Sequence, residues 1–303
     1  MDFEAMQTFI TVVDEKSFTK ASERLNLSQP TVSFHIKNLE SYFDTTLIER
    51  SSKRFRVTQT GEMVYQRARQ VSGVIDKAKT EVFEFQNQVR GSIRIGASYT
   101  VGEYVLPSLL KEFDKHYPGV DLHVQIANTE RVNRGVQLHD LDVGLVEGQV
   151  NHQGLSSIPF LEDKMVVIVP LHHPLREKGT VTFDQLQDQT WLTRERGSGT
   201  GAMLDSMLEA YNIRPRKLIT IGSNHGVVQS VKQGLGMSLI SRTVVEHTDA
   251  EALIMDLPYM KTPTRYFSLV TPVNDEEITK NASAFIAQIK QHYHLELSQN
   301  DDI

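Results

Sequence analysis

The sequence predicts a two-domain protein of mixed α+β and α/β class: a helical head ending in a small two-stranded wing, a long linker helix, and a body of two α/β lobes. Three observations carry that prediction. Residues 3–43 place apolar side chains at helical spacing in three short runs. Residues 64–85 repeat apolar residues at steps of 4, 3, 4, 3, 4 and 3, which is a heptad seam. From Gly91 onward, short β-rich stretches alternate with helical ones. A length of 303 residues also exceeds what one core ordinarily fills.

The head reads as follows. Phe3, Met6, Phe9, Ile10 and Val13 form one stripe on a first helix. Ser17 caps a second helix, although Lys20 stands where a capping box needs an acid. Asn26 suits the left-handed conformation that ends it. Ser28 caps a third helix with Pro30 in its first turn, where a missing N–H costs nothing. Val32, Ile36, Leu39 and Phe43 are its expected buried stripe, and Gln29, Thr31, Ser33, Phe34, His35 and Lys37 its open face. Residues 46–58, "TLIERSSKRFRVT", read as two short strands around a basic tip.

The next run, to about Gln88, is one long helix. Its seam is Val64, Ala68, Val71, Ile75, Ala78, Val82 and Phe85. A period of 3.5 rather than 3.6 favours a dimer-forming coiled coil over a helix lying on its own domain. In the body, strands are expected at 92–97, 120–126, 141–146, 164–170, 190–193, 217–222, 236–241 and 265–272. Helices are expected at 101–116, 129–138, 200–211, 224–233 and 276–293. Such alternation argues for parallel sheets, and two sets of it for two lobes with a cleft between them.

Charge divides the chain. Residues 1–90 carry 13 Lys and Arg against 12 Asp and Glu, and the remainder 19 against 26, within a net charge of −6. "RSSKRFR" (50–56) packs four cations into seven residues without an acid. A basic cluster on a neutral head before an acidic body points to a polyanion met by the head alone. The chain has no cysteine, which excludes disulfides and thiol chemistry. Neither a signal peptide nor an apolar run near ~18 residues is present, so a cytoplasmic protein with no membrane role is expected.

Several separated motifs, in order, resemble the LysR-type bacterial transcriptional regulators. They are "FITVVDEKSFTKASERLNLSQPTVSFHIKNLE", "LIERSSKRFRVTQTGE", "GSIRIGASYTVGEYVLPSLLKEF", "YPGVDLHVQIANTERV", "LDVGLVEG", "RERGSGTG" and "VKQGLGMSLISR". The resemblance covers nearly the whole chain. It implies a winged helix-turn-helix at 1–58, a dimerising linker helix at 59–88, and a periplasmic-binding-protein-like effector domain at 89–303. Lobe I is then about 89–161 with 266–303, and lobe II about 162–265. It further implies double-stranded promoter DNA as partner, a homodimer through the linker helix, a homotetramer, and contact with RNA polymerase. "YTVGEYVLP", "LVEG" and "RERGSGT" look most like the branch linked to sulfur assimilation and sulfite handling.

On that footing, Ser28, Gln29, Pro30, Thr31, Ser33, Phe34, His35 and Lys37 are candidates for the DNA groove. Gln bonds adenine, and Thr or Phe meets a thymine methyl. The Phe34-His35 pair departs from the Arg-Gln type common in the family. Arg50, Lys53, Arg54 and Arg56 suit phosphates or a minor groove, with Lys20 and Lys37 weaker phosphate candidates. In the body, four strand-to-helix junctions end in small polar residues: Ser98-Tyr99-Thr100, Asn128-Thr129, Ser198-Gly199-Thr200 and Ser223-Asn224. Ligands collect at such junctions, and helix N-termini there suit an anion. The family's effector positions match Ser98, Thr100, Thr129, Ser198 and Thr200. Arg194 would complement a negative ligand or else form a surface ion pair. Glu147 repels an anion unless a proton or a cation intervenes. The expected effector is a small anion, with a sulfur oxyanion the first candidate, and the expected role is a regulator, most simply an activator.

Other classes fit less well. Gly197–Gly201 has glycines but no Gly-Lys-Ser/Thr ending, and no nucleophile elbow is present. His172-His173 and His292-x-His294 lack metal spacing. No enzyme, cofactor or metal is expected. A solute-binding protein without a DNA role is the alternative, and it leaves the basic wing and the seam idle.

Overall fold

A computed structural model of the chain describes residues 3–51, 54–86, 91–148, 150, 153–178, 180–257, 261, 263–274 and 278–295. The chain divides into two compact units, residues 1–82 with 138–140, and residues 83–137 with 141–303.

In the first unit, α1 (Phe3–Glu15), α2 (Phe18–Leu25) and α3 (Gln29–Tyr42) close on one core. Phe9, Val12, Ala21, Val32, Ile36 and Leu39 are buried there. Ser17 accepts from the Lys20 N–H at 3.3 Å and Ser28 from the Thr31 N–H at 3.2 Å, so both caps form. Asn26 ends α2 at φ 52°, the left-handed geometry its short side chain tolerates. The wing is β1 (Ile48–Ser51) paired antiparallel with β2 (Arg54–Val57). Glu40 ties it to α3, accepting from the Leu47 and Ile48 N–H groups at 2.9 and 3.2 Å. The long helix α4 runs Gln59–Gln86.

The second unit is built on a six-stranded sheet. Its strands are β3 (Gly91–Ser98), β4 (Val120–Ala127), β5 (Val143–Glu147), β6 (Leu155–Ile168), β9 (Ser238–Ser241) and β10 (Thr264–Pro272), in the order β4-β3-β5-β10-β6-β9. Two more strands, β7 (Thr190–Thr193) and β8 (Lys217–Thr220), pair in parallel. The helices are α5 (Tyr99–Tyr104), α6 (Leu106–His116), α7 (Thr129–Gln137), α8 (Gly199–Ala210), α9 (Asn224–Lys232), α10 (Arg242–Glu246) and α11 (Lys280–His292). One core gathers β3, β5 and β10 against α6 and α11, where Phe113 and Phe285 meet edge to face at 5.2 Å. Such a pair adds about 1 kcal/mol beyond its buried area. Two further cores, around Trp191 and around Val228, support the half that carries α8 and α9. The long strands β6 and β10 run through both halves.

Four expectations need correction. The main sheet is mixed rather than parallel: β10 lies antiparallel to both β5 and β6, and β6 to β9. Strand β6 begins at Leu155, nine residues before the expected start. Pro159 within it cannot donate to a ladder, and a register shift accommodates it opposite Phe267/Ser268. The helix expected at 101–116 breaks at Val105, because Pro107 removes an N–H and its ring clashes with the preceding turn. Phe43 is not buried with Val32, Ile36 and Leu39. It is 40% exposed at the end of α3 and stacks edge to face on Tyr42.

The seam also splits. Ala68 is buried in the head core and Val64 packs against it, so the first two seam positions serve their own domain. Val71 and Ala78 are exposed and Ile75 half-buried. The side chains of Val82 and Phe85 lie outside the described residues. Among the described residues, no helix is long and apolar enough to cross a membrane.

Candidate functional site

Three charged side chains meet deep in the second unit. Each is the next residue along the buried face of its strand, two positions from an apolar neighbour. Glu147 follows Leu145 on β5, Asp163 precedes Met165 on β6, and Arg265 precedes Phe267 on β10. Register then brings them together, since Arg265 lies directly opposite Asp163 and Phe267 opposite Glu147. The Arg265 side chain is 2% exposed and bridges both acids, Asp163 at 2.8 Å and Glu147 at 3.3 Å.

Hydroxyls complete the cluster. Arg265 donates to Thr200 Oγ1 at 3.0 Å and to Thr100 Oγ1 at 3.4 Å. Thr200 in turn donates to Glu147 Oε1 at 3.3 Å. Asn224 Nδ2 donates to Thr100 Oγ1 at 3.1 Å, and Ser241 donates to Asp163 at 2.6 Å. One guanidinium thus holds residues from β6, β5, α5 and α8. Burial pushes the Asp163 carboxyl above its usual range, against the pull of Arg265 and Ser241. Buried charges persist only when paired and hydrogen-bonded in this way.

Beside the cluster opens a cleft of about 1210 Å³. Its walls include Thr129, Glu147, Arg194, Ser198, Gly199 and Arg265. Ser98, Thr100, Tyr99, Asn128, Thr200, Ser223 and Asn224 do not line it. Thr100, Thr200 and Asn224 reach it through Arg265 and Arg194. Arg194 is buried rather than on the surface. It donates to Glu195 at 3.0 Å, to Asn224 Oδ1 at 2.5 Å and to the Gly222 carbonyl at 3.3 Å, and lies 4.5 Å over the Tyr99 ring. Gly199 is required at its position, because a Cβ there would strike the Glu147 carbonyl oxygen.

Ser198 and Ser223 cap their helices, accepting from the N–H groups of Gly201 and Gly226 at 3.4 and 3.1 Å. Asn128 is engaged locally, with Arg196 and Arg131. Thr129 donates to the Glu147 carbonyl at 3.0 Å. Ser98 is fully buried, and its Oγ has no partner among the described residues.

Sequence reasoning missed Arg265, Asp163 and Ser241. A signal was available for the first two. In "TRYFSLVTP" and "LEDKMVVIVP" a charged residue extends the alternating apolar positions by one step. A charge on a buried parity marks a residue that must find a partner inside.

In the head, α3 leaves Gln29, Pro30, Phe34 and Lys37 exposed, with Thr31 and Ser33 half-buried. Phe34 is 61% exposed. Three candidates are already engaged. The Ser28 and Thr31 hydroxyls share a hydrogen bond of 2.7 Å, and His35 Nδ1 lies 2.8 Å from Thr8 Oγ1 on α1. Arg56 points outward, 77% exposed, 3.9 Å from Glu49. Lys53 lies outside the described residues, as do the side chains of Arg50 and Arg54.

Comparison with known proteins matches this architecture. Residues 3–62 match the family "Bacterial regulatory helix-turn-helix protein, lysR family", and residues 86–294 match the "LysR substrate binding domain". The HTH-type transcriptional regulator CysL of Bacillus subtilis is 41% identical over 301 residues, 98% of this chain and 99% of CysL. A full-length OxyR variant from Pseudomonas aeruginosa, with one cysteine replaced by aspartate, superposes with a TM-score of 0.66 at 22% identity, over 97% of this chain and 95% of that one. The regulatory domain of CcmR from Synechocystis PCC6803, in complex with 2-PG, superposes with a TM-score of 0.61 at 24% identity, over 67% of this chain and 98% of that one. The chain therefore belongs to the LysR family: it is a DNA-binding transcriptional regulator with a helix-turn-helix head and an effector-binding domain.

Proposed function

We propose that this regulator senses a small oxyanion, a sulfur oxyanion first among them, in the cleft beside Arg265, and that binding changes how a dimeric or tetrameric assembly holds promoter DNA. The observation that carries the ligand reading is the Arg265 cluster. A buried guanidinium and two threonine hydroxyls from separate helices converge on one point beside a cleft. Donors fixed in a water-poor site are what a small oxyanion needs. The 41% identity to CysL supports the sulfur reading.

For the head, α3 enters a major groove with Gln29, Thr31, Ser33 and Phe34 towards base edges, while Arg50, Lys53, Arg54 and Arg56 of the wing meet phosphates. Residues 1–58, 59–88 and 89–303 then act as reader, dimeriser and sensor. The dimer seam is the later part of α4, where Val71, Val74 and Ala78 stand exposed. The exposed β4 residues Val124 and Ile126 offer a second surface for assembly into a tetramer. Dimeric heads read two half-sites, so a pseudo-palindromic operator follows. Ligand-driven movement of one lobe on the other changes the spacing of the heads by population shift. The site of action is the cytoplasm, and an activating form works through RNA polymerase.

The test is a thermal-shift screen of small anions followed by gel shift on the promoter beside its own gene. A ligand selective for the native state raises the melting temperature, and specific binding weakens with salt. The Arg50→Ala/Arg54→Ala double variant is expected to lose DNA. Absence of a shift with every anion contradicts the ligand reading, and DNA binding by the double variant at full strength contradicts the role of the wing.

A further inference from the structure

Gly73 sits in the middle of α4, a helix of 28 residues, where glycine weakens a helix and alanine does not. The heptad seam does not call for it, since the seam passes through Val71 and Ile75. Its reason lies in a piece of chain from elsewhere. Residues 138–140 fall in the sequence between α7 and β5, yet they pack as part of the first unit. A Cβ added at Gly73 would strike the Cβ of His139 and crowd the Leu138 carbonyl oxygen. Leu138 is buried, and His139 and Asp140 are half-buried. This strap turns at His139, whose φ of 59° is one that few side chains adopt.

Charge fastens the same face of α4. Tyr65, Arg69 and Gly73 stand four residues apart and so share one row along the helix. Tyr65 donates to Asp14 of α1 at 2.5 Å. Arg69 is shared: it donates to Asp14 at 3.3 Å and pairs with Asp140 of the strap. One guanidinium is thus divided between an acid of the head and an acid of the strap. If the strap withdraws, Arg69 is left to Asp14. Helix α1 is bonded in turn to α3, where Thr8 Oγ1 meets His35 Nδ1 at 2.8 Å.

The strap is the continuation of α7, and the other end of α7 stands at the cleft. Thr129 lines the cleft and donates to the Glu147 carbonyl at 3.0 Å. The Glu130 N–H donates to the Gly197 carbonyl at 3.1 Å, and Asn128 Nδ2 to the Arg196 carbonyl at 3.3 Å. The start of α7 is therefore tied to the segment that leads into α8. At its far end the Leu141 N–H closes on the Gly135 carbonyl at 3.1 Å. A helix of nine residues is about 13 Å long and moves as one piece.

Resting on the reading of the cleft as the ligand site, we infer that α7 and the strap 138–140 form the coupling element of this regulator. A ligand that shifts Arg196 and Gly197 shifts α7, and the strap passes the shift to α4 through the Arg69–Asp140 pair and the seat over Gly73. The element has two settings, Arg69 shared between Asp14 and Asp140 or Arg69 on Asp14 alone. A ligand biases them by binding one more tightly than the other.

The experiment uses the full chain and sulfite. DNA affinity is read by anisotropy of a labelled promoter fragment with and without sulfite, and sulfite affinity by calorimetry with and without the fragment. In wild type, sulfite is expected to change DNA affinity about fivefold or more, and the fragment to change sulfite affinity by the same factor. Asp140→Asn is expected to bind sulfite alone and DNA alone within about twofold of wild type, with a coupling factor of about one. Asp140→Glu keeps the carboxylate and keeps the factor. Gly73→Ala loses the factor from the other side of the contact, and its melting temperature does not rise, although helix propensity alone favours alanine. Wild-type coupling in both Asp140→Asn and Gly73→Ala overturns the inference alone. So does loss of sulfite binding itself in Asp140→Asn, which makes the strap a support of the cleft, and so does a wild type that binds sulfite with no change in DNA affinity. Failure of wild type to bind sulfite removes the cleft reading, and this inference with it.

Discussion

Helix α3 of the head and helix α8 of the body begin alike, and they end up doing opposite things. Both start from a serine N-cap, Ser28 at 3.2 Å and Ser198 at 3.4 Å from the N–H three residues on. Both place a threonine within the first turn, Thr31 and Thr200. In α3 the polar groups stand on the surface, with Gln29, Phe34 and Lys37 exposed. In α8 the threonine is buried and bonded to Arg265 and Glu147. A duplex is too large to be enclosed, so its reader holds donors and an apolar side chain open to the groove. On the proposed reading a small ligand is enclosed at α8, so its donors are bonded to one another until the ligand displaces those bonds. The capping pattern is local chemistry, and burial decides what the first turn is for.

The contrast between the two helices breaks most sharply at Arg265. Arg265→Met leaves Glu147 and Asp163 buried without their cation, and breaking such a group costs about 3–5 kcal/mol. Denaturant unfolding of the second unit measures it. Without the arginine the Asp163 carboxyl, already held high by burial, loses the pull that lowers it and titrates above its unfolded value. The variant is therefore expected to be most stable in acid and to lose stability as pH rises through that raised value. Unfolding unchanged from wild type contradicts the cluster as described.

Gly199→Ala is the next largest change. The added methyl presses on the Glu147 carbonyl, and overpacking of this kind costs about 1–3 kcal/mol. A melting temperature equal to that of wild type means the junction is looser than its geometry. On the head, Ser28→Ala removes the cap of α3 and is expected to lower stability by about 1 kcal/mol. On the proposed reading of α3 as the groove reader, it is expected to lower DNA affinity as well. The smallest effect is expected from Arg56→Ala. Binding weakens evenly across DNA sequences, and the slope of log affinity against log salt falls by about one. A change confined to one operator sequence assigns Arg56 to base reading instead.

Much of this was legible in the chain, for reasons the particular residues make plain. The caps at Ser17 and Ser28 and the turn at Asn26 are local interactions, and they formed as their spacing implies. The wing and the long helix likewise follow from short-range pattern. Pairing between strands is not local. Nothing near residue 155 announces that β6 begins there, because Pro159 argues against a strand until β10 supplies the bulge that accommodates it. The seam shows the same limit: Val64 and Ala68 satisfy a heptad, yet the head core claims them. Phe43 fits the stripe of α3 by position, but the helix ends before that face closes over it.

The site was half legible. The junction residues Thr100, Thr200 and Asn224 do converge, together with Glu147 from the end of β5, while Ser198, Ser223 and Asn128 serve as caps and ties. The residue on which the convergence depends, Arg265, lies 65 positions from Thr200 and 165 from Thr100. Only the register of β10 against β5 and β6 brings it there.

The central claim is that hydroxyls bonded to Arg265 transmit the presence of an anion to the DNA-reading head. Fluorescence anisotropy on a labelled promoter fragment, with and without sulfite, tests it most directly in wild type and in Thr200→Val. The valine keeps the volume and removes both the bond accepted from Arg265 and the bond given to Glu147. Sulfite is expected to alter DNA binding by wild type, and this response is expected to be lost in the variant. A Thr200→Val protein that answers sulfite as wild type does contradicts the claim.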